Sequence, residues 1–251
     1  MPERRRLRQG LAAALLALIA VAGLLMMAKE QQMKQETSPF DGRSNRALAQ
    51  AVARGDAAEI AAQATQARLH EQGDRQVTLL QWAMLSQQPQ SVQALLELGS
   101  DAAAPGLDGN SALHTAATLQ DAQYLRTLLK RGTALNVRNT VTGATPLAAA
   151  VLAGREEQLR LLLAAGADAT LSDRLGDTPL HLAAKINAPR LALMLLQAGA
   201  DVRARNRQGM NFQFYFSQTP AHLQNEELKA GYRELDGWLK GQRLATHYAQ
   251  Q

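Results

Sequence analysis

Small and apolar residues return along the middle of this chain in paired blocks. Leu125, Leu128 and Leu129, and again Leu159, Leu162 and Leu163, fall at i, i+3 and i+4. That spacing lays an apolar stripe along one face of a helix. Before each stripe comes a block of leucine with alanine, such as Leu113, Ala116 and Ala117, or Leu180, Ala183 and Ala184. Alanines there let two antiparallel helices approach closely. The blocks keep a period: Thr78, Ser111, Thr145, Thr178 and Asn211 open units at spacings of 33, 34, 33 and 33 residues. Gly99, Gly132, Gly166 and Gly199 each follow the opening residue by 21 positions, where a left-handed residue ends the second helix. Self-similarity at this period predicts a solenoid of stacked units, none able to bury its apolar face alone.

One unit shows the chemistry of the repeat in full. It runs Gly176, Asp177, Thr178, Pro179, Leu180, His181, Leu182, Ala183, Ala184 and later Leu195, Leu196, Gly199 and Asp201. Thr178 suits a helix cap, and Pro179 suits the first helical position, where a missing N–H costs nothing. This run resembles the ankyrin repeat, whose signature is threonine, proline, leucine, histidine, any residue, alanine. The resemblance implies an all-α repeat solenoid of about six helix-turn-helix units joined by projecting finger turns, the outer two units acting as degenerate caps. It also implies that His114 and His181 brace turns by hydrogen bonds, with Gln81 and Ala148 standing in their place elsewhere.

The ends of the array depart from the pattern. Leu48, Ala51, Val52, Gly55 and Ile60 form a weak first unit, followed by a longer polar connection over Arg68–Gln76. The last unit replaces small residues with Phe212, Phe214, Tyr215 and Phe216, which predicts bulky closure of the core. Leu228, Tyr232, Leu235 and Leu239 then keep helical spacing, with Asn225 as the cap and Trp238 alongside.

Residues 1–28 are a different kind of sequence. Arg4, Arg5, Arg6 and Arg8 precede Leu11–Ala28, eighteen residues without a charge. As a helix that stretch reaches ~27 Å, enough for the apolar core of a bilayer. Two readings stay open, a retained signal anchor and a cleaved signal peptide, and both export the rest of the chain. The predicted organisation is a basic cytoplasmic segment at 1–10, the anchor or signal at 11–28, a polar linker at 29–43, the array at 44–242 and a tail at 243–251. An anchor makes this a single-pass inner-membrane protein with its C-terminal domain in the periplasm; cleavage makes it soluble there.

Charge narrows the choice of partners. The formal net charge is +5, but residues 1–28 hold four arginines against one glutamate, leaving 23 basic and 21 acidic residues elsewhere. A near-balanced array without basic runs interleaved with aromatics lacks the footprint of a nucleic-acid binder. The chain has no cysteine, which excludes disulfides and lipoprotein anchoring. No zinc spacing, phosphate loop or nucleophile elbow occurs, and Asp101, Asp168 and Asp201 are repeat positions at finger starts. These readings predict no enzyme activity, no cofactor, no metal and no small-molecule substrate.

A surface remains. Arrays of this resemblance bind through fingers and the exposed side of the first helices, where residues vary between units while the framework holds. In the third unit these are Leu107, Asp108, Asn110, Thr118 and Leu119, and in the fourth Val141, Thr142 and Leu152. The fifth contributes Arg174, Leu175, Asp177, Lys185 and Ile186, and the last finger Arg207, Gln208 and Met210. Leucine, isoleucine, valine and methionine at such outward positions predict an apolar groove for a protein partner. Arg203, Arg205 and Arg207, with Arg174 one finger earlier, make either a docking edge for an acidic partner or a solvated rim. The expected role is a membrane-tethered, non-catalytic interaction scaffold. Resemblance to exported bacterial ankyrin proteins implies, as an alternative, a periplasmic immunity or inhibitor protein that neutralises a toxic effector such as a secreted phospholipase. Further alternatives are an accessory to envelope or oxidative-stress physiology and a host-directed effector.

Overall fold

The computed structural model describes residues 38–41, 44–219 and 225–244. The first unit holds α1 (Arg46–Arg54), α2 (Ala57–Gln63) and an added turn, α3 (Gln66–His70). Next come α4 (Leu79–Leu85) with α5 (Pro89–Glu97), and α6 (Ala112–Thr118) with α7 (Gln123–Lys130). Then follow α8 (Pro146–Leu152) with α9 (Glu156–Ala164), and α10 (Pro179–Lys185) with α11 (Pro189–Gln197). The array closes with α12 (Phe212–Phe216) and α13 (Glu226–Gly241). First helices stack in one row, α1, α4, α6, α8, α10 and α12, and second helices in a parallel row behind.

The repeat positions explain the stack. Leu80, Leu113, Leu147 and Leu180, each two residues into its unit, are buried between the rows, as are Leu95, Leu128, Leu162 and Leu195 on the second helices. Each such leucine contributes about 2 kcal/mol, but only when a neighbouring unit covers it. Local chemistry sets where each first helix starts. Thr78 Oγ1 accepts from Gln81 N–H at 3.2 Å, Thr145 Oγ1 from Ala148 N–H at 3.3 Å and Asn211 Oδ1 from Phe214 N–H at 3.1 Å. Asn225 caps α13 as predicted, accepting from Leu228 N–H at 2.8 Å.

The N-terminal end differs from expectation in two places. Arg68–Gln76, read as a polar connection, carries the end of α3, capped by Thr65 and anchored by buried Leu69. A single turn is too short for a periodic signal. Phe40, inside the predicted 29–43 linker, is 0% exposed. Around it Pro39 C=O accepts from Asp74 N–H at 2.7 Å, the bond that later fingers make with one another. Residues 38–41 thus stand in for a finger ahead of the first true one. The remainder of the linker, the proposed span Leu11–Ala28 and most of the tail lie outside the described residues. Among the described residues no helix is long and apolar enough to cross a membrane.

At the other end Phe212 and Phe216, four positions apart, share one face of α12 and close the core. Phe216 meets Tyr232 of α13 edge to face at 5.3 Å. Burial pushes the Tyr232 phenol up to about 12, and its hydroxyl donates to Asn187.

Finger contact is tight enough to test with two glycines. Gly176 (φ +80°) and Gly209 (φ +75°) occupy equivalent turns, but a Cβ on Gly176 would lie 2.8 Å from the Arg207 nitrogen, whereas Gly209 has open space. Gly209→Ala is expected to cost about 1–2 kcal/mol from left-handed strain alone. Gly176→Ala should add roughly 1–3 kcal/mol for displacing the next finger's backbone. Urea unfolding of both variants measures the difference, and equal midpoints would show that the fingers do not hold one another.

Candidate protein-binding face

Each finger is a small loop closed on itself and tied to its neighbours. Asn139 N–H donates to Ala144 C=O, Asp173 N–H to Asp177 C=O and Asn206 N–H to Met210 C=O, at 2.9, 3.0 and 3.0 Å. The side chains of the same residues fill the loops. Asn139 Oδ1 accepts from Val141 and Thr142 N–H, Asp173 Oδ1 from Leu175 and Asp177 N–H, and Asn206 Oδ1 from Gln208 and Met210 N–H, all at 2.7–3.1 Å. Successive fingers then join through backbone: Thr140 N–H to Gly109 C=O, Arg174 N–H to Thr142 C=O and Arg207 N–H to Leu175 C=O, at 3.1, 2.9 and 3.1 Å. The finger tips therefore present their side chains from a fixed comb.

The first helices brace this comb from behind. Ser111 N–H donates to His114 Nδ1 at 3.2 Å, so that nitrogen holds the lone pair and Nε2–H reaches Ala144 C=O at 3.0 Å. His181 repeats the arrangement between Thr178 N–H and Met210 C=O, at 3.2 and 3.0 Å. Gln81 performs the same task with an amide, its Nε2 donating to Asn110 C=O at 2.9 Å and its Oε1 accepting from Leu107 N–H at 2.9 Å. Burial pushes both imidazoles below their usual 6.5, outweighing the carbonyl bonds that act the other way.

The residues singled out in the sequence divide sharply. Val141 and Leu175, at finger tips, are 62% and 65% exposed, and Leu152, at the end of α8, is 49% exposed. Asp108, Arg174 and Arg207 are exposed as well. Leu119 is not outward-facing: it is 8% exposed. It follows the last residue of α6, in register with Ala153 and half-buried Ile186 rather than with Leu152, and that register faces the core. Leu107 and Ile186 are half-buried and packed on the core. Asn110 and half-buried Met210 serve the framework, Asn110 Oδ1 accepting from Asn139 Nδ2 at 2.7 Å.

Asp177 is buried, and around it lies a cluster that sequence reasoning missed. Its carboxylate pairs with Lys185 and accepts from Asn206 Nδ2 at 2.8 Å. Asn206 Nδ2 also donates to the Tyr215 hydroxyl at 2.7 Å, and the Lys185 ammonium sits 4.8 Å above the Tyr215 ring. Phe214 packs edge-on to Tyr215 at 5.4 Å and is 39% exposed, an outward aromatic rather than part of the plug. Its position between Phe212 and Phe216 was the available signal, because alternate residues of a helical turn cannot share a face.

Asp101, Asp168 and Asp201 turn their carboxylates onto finger N–H groups two residues ahead, at 2.8 Å in each case. The bonds from Thr170 hold the Asp168 carboxyl below its usual range. Among the described residues no three His, Asp or Glu side chains are placed to hold a metal ion. An inter-unit void of about 30 Å³ beside Leu69, Thr78, Leu80 and Ser100 has room for about one water.

A family model for ankyrin repeats (3 copies) matches residues 113–206. Protein PhlB of Serratia liquefaciens is 83% identical over 187 residues, covering 74% of this chain and 82% of that protein. The chain belongs to the ankyrin-repeat family. The E3 ubiquitin-protein ligase KEG of Arabidopsis thaliana is 33% identical over 173 residues, 62% of this chain but 11% of the ligase. Among solved structures, the ankyrin repeat domain of Bcl-3, a member of the IkappaB protein family, matches with a TM-score of 0.64 and 26% identity. That match covers 77% of this chain and 86% of the Bcl-3 domain. In this ankyrin array, as in the sequence expectation, the repeat histidines are braces.

Those braces make stability pH-dependent in a definite direction. Each histidine titrates near 6.5 when unfolded and lower when folded. The unfolded chain therefore binds protons first as pH falls below 6.5. The stabilisation is complete above 6.5 and is lost as pH drops toward the folded value. Thermal unfolding midpoints should fall between pH 7.5 and 5.5, and the double variant His114→Gln, His181→Gln should flatten that fall, because glutamine already does this work at position 81. An unchanged slope in the double variant would assign the acid sensitivity to other groups.

Proposed function

We propose that this chain is a non-catalytic scaffold that holds a protein partner against its fingers and first helices. One observation carries the reading: Val141, Leu152 and Leu175 are large, apolar and about half or more exposed, beside finger loops whose N–H groups are held by Asn139, Asp173 and Asn206. A rigid face with exposed apolar anchors is the form of a protein interaction site, since little ordering is needed on binding. Ankyrin repeats supply protein–protein interaction as a family, which supports the same conclusion. The arginines of residues 4–8 ahead of Leu11–Ala28 support export, with the array tethered outside the inner membrane. A signal peptide cleaved from the same segment would leave the array free in the same compartment.

Val141, Leu152 and Leu175 are better probes than Leu119 or Ile186, whose substitution by charge would unfold the core. In the native host, a photo-crosslinking residue at 152 or 175 should yield a discrete adduct, and one at Arg160 on the outer helix should not. Val141→Asp, Leu152→Glu and Leu175→Glu together should weaken binding of that partner by about tenfold or more while leaving the thermal midpoint in place. Unweakened binding by a folded triple variant would remove this face as the site. Adding purified protein to the captured partner separates inhibition from assembly, by whether the partner's activity falls. Membrane fractionation with the mass of the mature N-terminus decides anchor against cleaved signal: an intact N-terminus in the membrane fraction is the expected result.

A further inference from the structure

The exposed face is uneven in charge, and the unevenness specifies a partner. In the N-terminal half the finger charges answer one another: Arg75 pairs with Asp108 across adjacent tips at 3.3 Å. On the second helices Arg131 pairs with Glu97 at 3.4 Å, and Arg126 pairs with Glu157. In the last two fingers Arg174, Arg203, Arg205 and Arg207 are all exposed, and none stands in an ion pair among the described residues. Arg174 Nη2 instead lies back on Thr140 C=O at 2.8 Å, and Arg205 Nη1 on Gly209 C=O at 2.6 Å. The carboxylates nearby are directed inward. Asp173 holds its own finger's N–H groups, Asp201 the N–H of Arg203, and Asp177 is buried against Lys185.

The same stretch carries the exposed large apolar side chains Val141, Leu175 and Phe214. They stand on the same fingers as the arginines, on the finger before or on the helix next to them. Arg174 follows the finger of Val141, Arg207 N–H bonds the Leu175 carbonyl, and Phe214 rests on Tyr215, whose hydroxyl donates to Gln208 at 3.3 Å.

We infer that the edge running from Val141 through Arg174 and Leu175 to Arg207 docks an acidic segment of the protein partner that bears apolar side chains. This rests on the scaffold reading above and adds the chemistry of what is held. Carboxylates reach guanidinium groups that no carboxylate among the described residues answers, and fork-shaped donors suit them. The apolar tips between the arginines need side chains to cover them. A polynucleotide would set phosphates against Leu175 and Val141, and the near-balanced charge of the array gives it little wider attraction. A lipid surface is flat, whereas Phe214 and Tyr215 lie behind the finger row on a first helix.

The test uses the full chain in non-ionic detergent and fluorescence anisotropy of labelled peptides. The probe is a peptide rich in aspartate and glutamate with two leucines and one phenylalanine. A second peptide replaces the apolar residues by serine, and a third replaces the acidic residues by lysine. The first should bind saturably, the second at least about tenfold more weakly, and the third not at all. Arg174→Glu with Arg207→Glu, and separately Leu175→Ser, should each weaken the first peptide about tenfold or more, while Arg126→Glu changes nothing. Raising salt should weaken it further. Binding of the first peptide that ignores the arginine reversal overturns the inference, as does preference for an oligothymidine strand or phosphatidylglycerol vesicles. Loss of the peptide result with the Leu175 crosslink retained in the host overturns the acidic segment and leaves the scaffold standing; loss of both overturns both.

Discussion

A hydrogen bond from α4, α6 and α10 to the carbonyl that closes the next finger sets the register of this array. His114 makes it to Ala144, His181 to Met210, and Gln81 makes it to Asn110 with an amide. The donor belongs to one unit and the acceptor to the next, so the bond exists only while units are stacked. The donors are buried and the acceptor residues half-buried, so a donor separated from its carbonyl without water entry would be left unsatisfied at about 1–3 kcal/mol. Leucine burial supplies the larger energy but is indifferent to rotation. The directional bond converts a stack of helices into a comb with a register.

Ala148 breaks the series, having no group to offer the finger ahead of it. That finger is held differently. Asp177, buried at its base, takes Lys185 from its own first helix and Asn206 from the following finger. A buried charge pair needs further hydrogen bonds to offset desolvation, and Asn206 with Tyr215 provides them. Charged and aromatic side chains thus gather where the fifth unit meets the sixth, alongside the bond that His181 makes there to Met210. The part of the face richest in exposed apolar and unpaired basic groups begins at the joint after Ala148.

The period, the six units, the caps on the first helices and the closing helix were legible because each is repeated or has a local chemical cause. Phe40 was not, because a lone aromatic in a polar run carries no period. Outward and inward positions at helix ends were legible only to within one residue. Leu152 is the last residue of α8, whereas Leu119 lies one position past α6, and that single step separates a side chain in water from one in the core. The fingers hid the most. Asn139, Asp173 and Asn206 stand in polar loop sequence, and their task emerges only once two N–H groups are seen converging on each side-chain oxygen.

Stacking and binding are then one equilibrium. In a solenoid each unit's stability is its own plus its interfaces with two neighbours, so opening at one joint leaves the remainder folded. The joint after Ala148 lacks the histidine bond, yet Val141 and Leu175 sit on its two sides, joined through Thr142 and Arg174. A segment that touches both tips binds only the stacked arrangement. Its free energy therefore adds to that joint as any ligand of the folded state adds to folding. In the proposed complex such a segment would take over, at the surface, part of the work that imidazole performs in the units of His114 and His181. The proposed face therefore lies across a joint that a bound segment would stabilise.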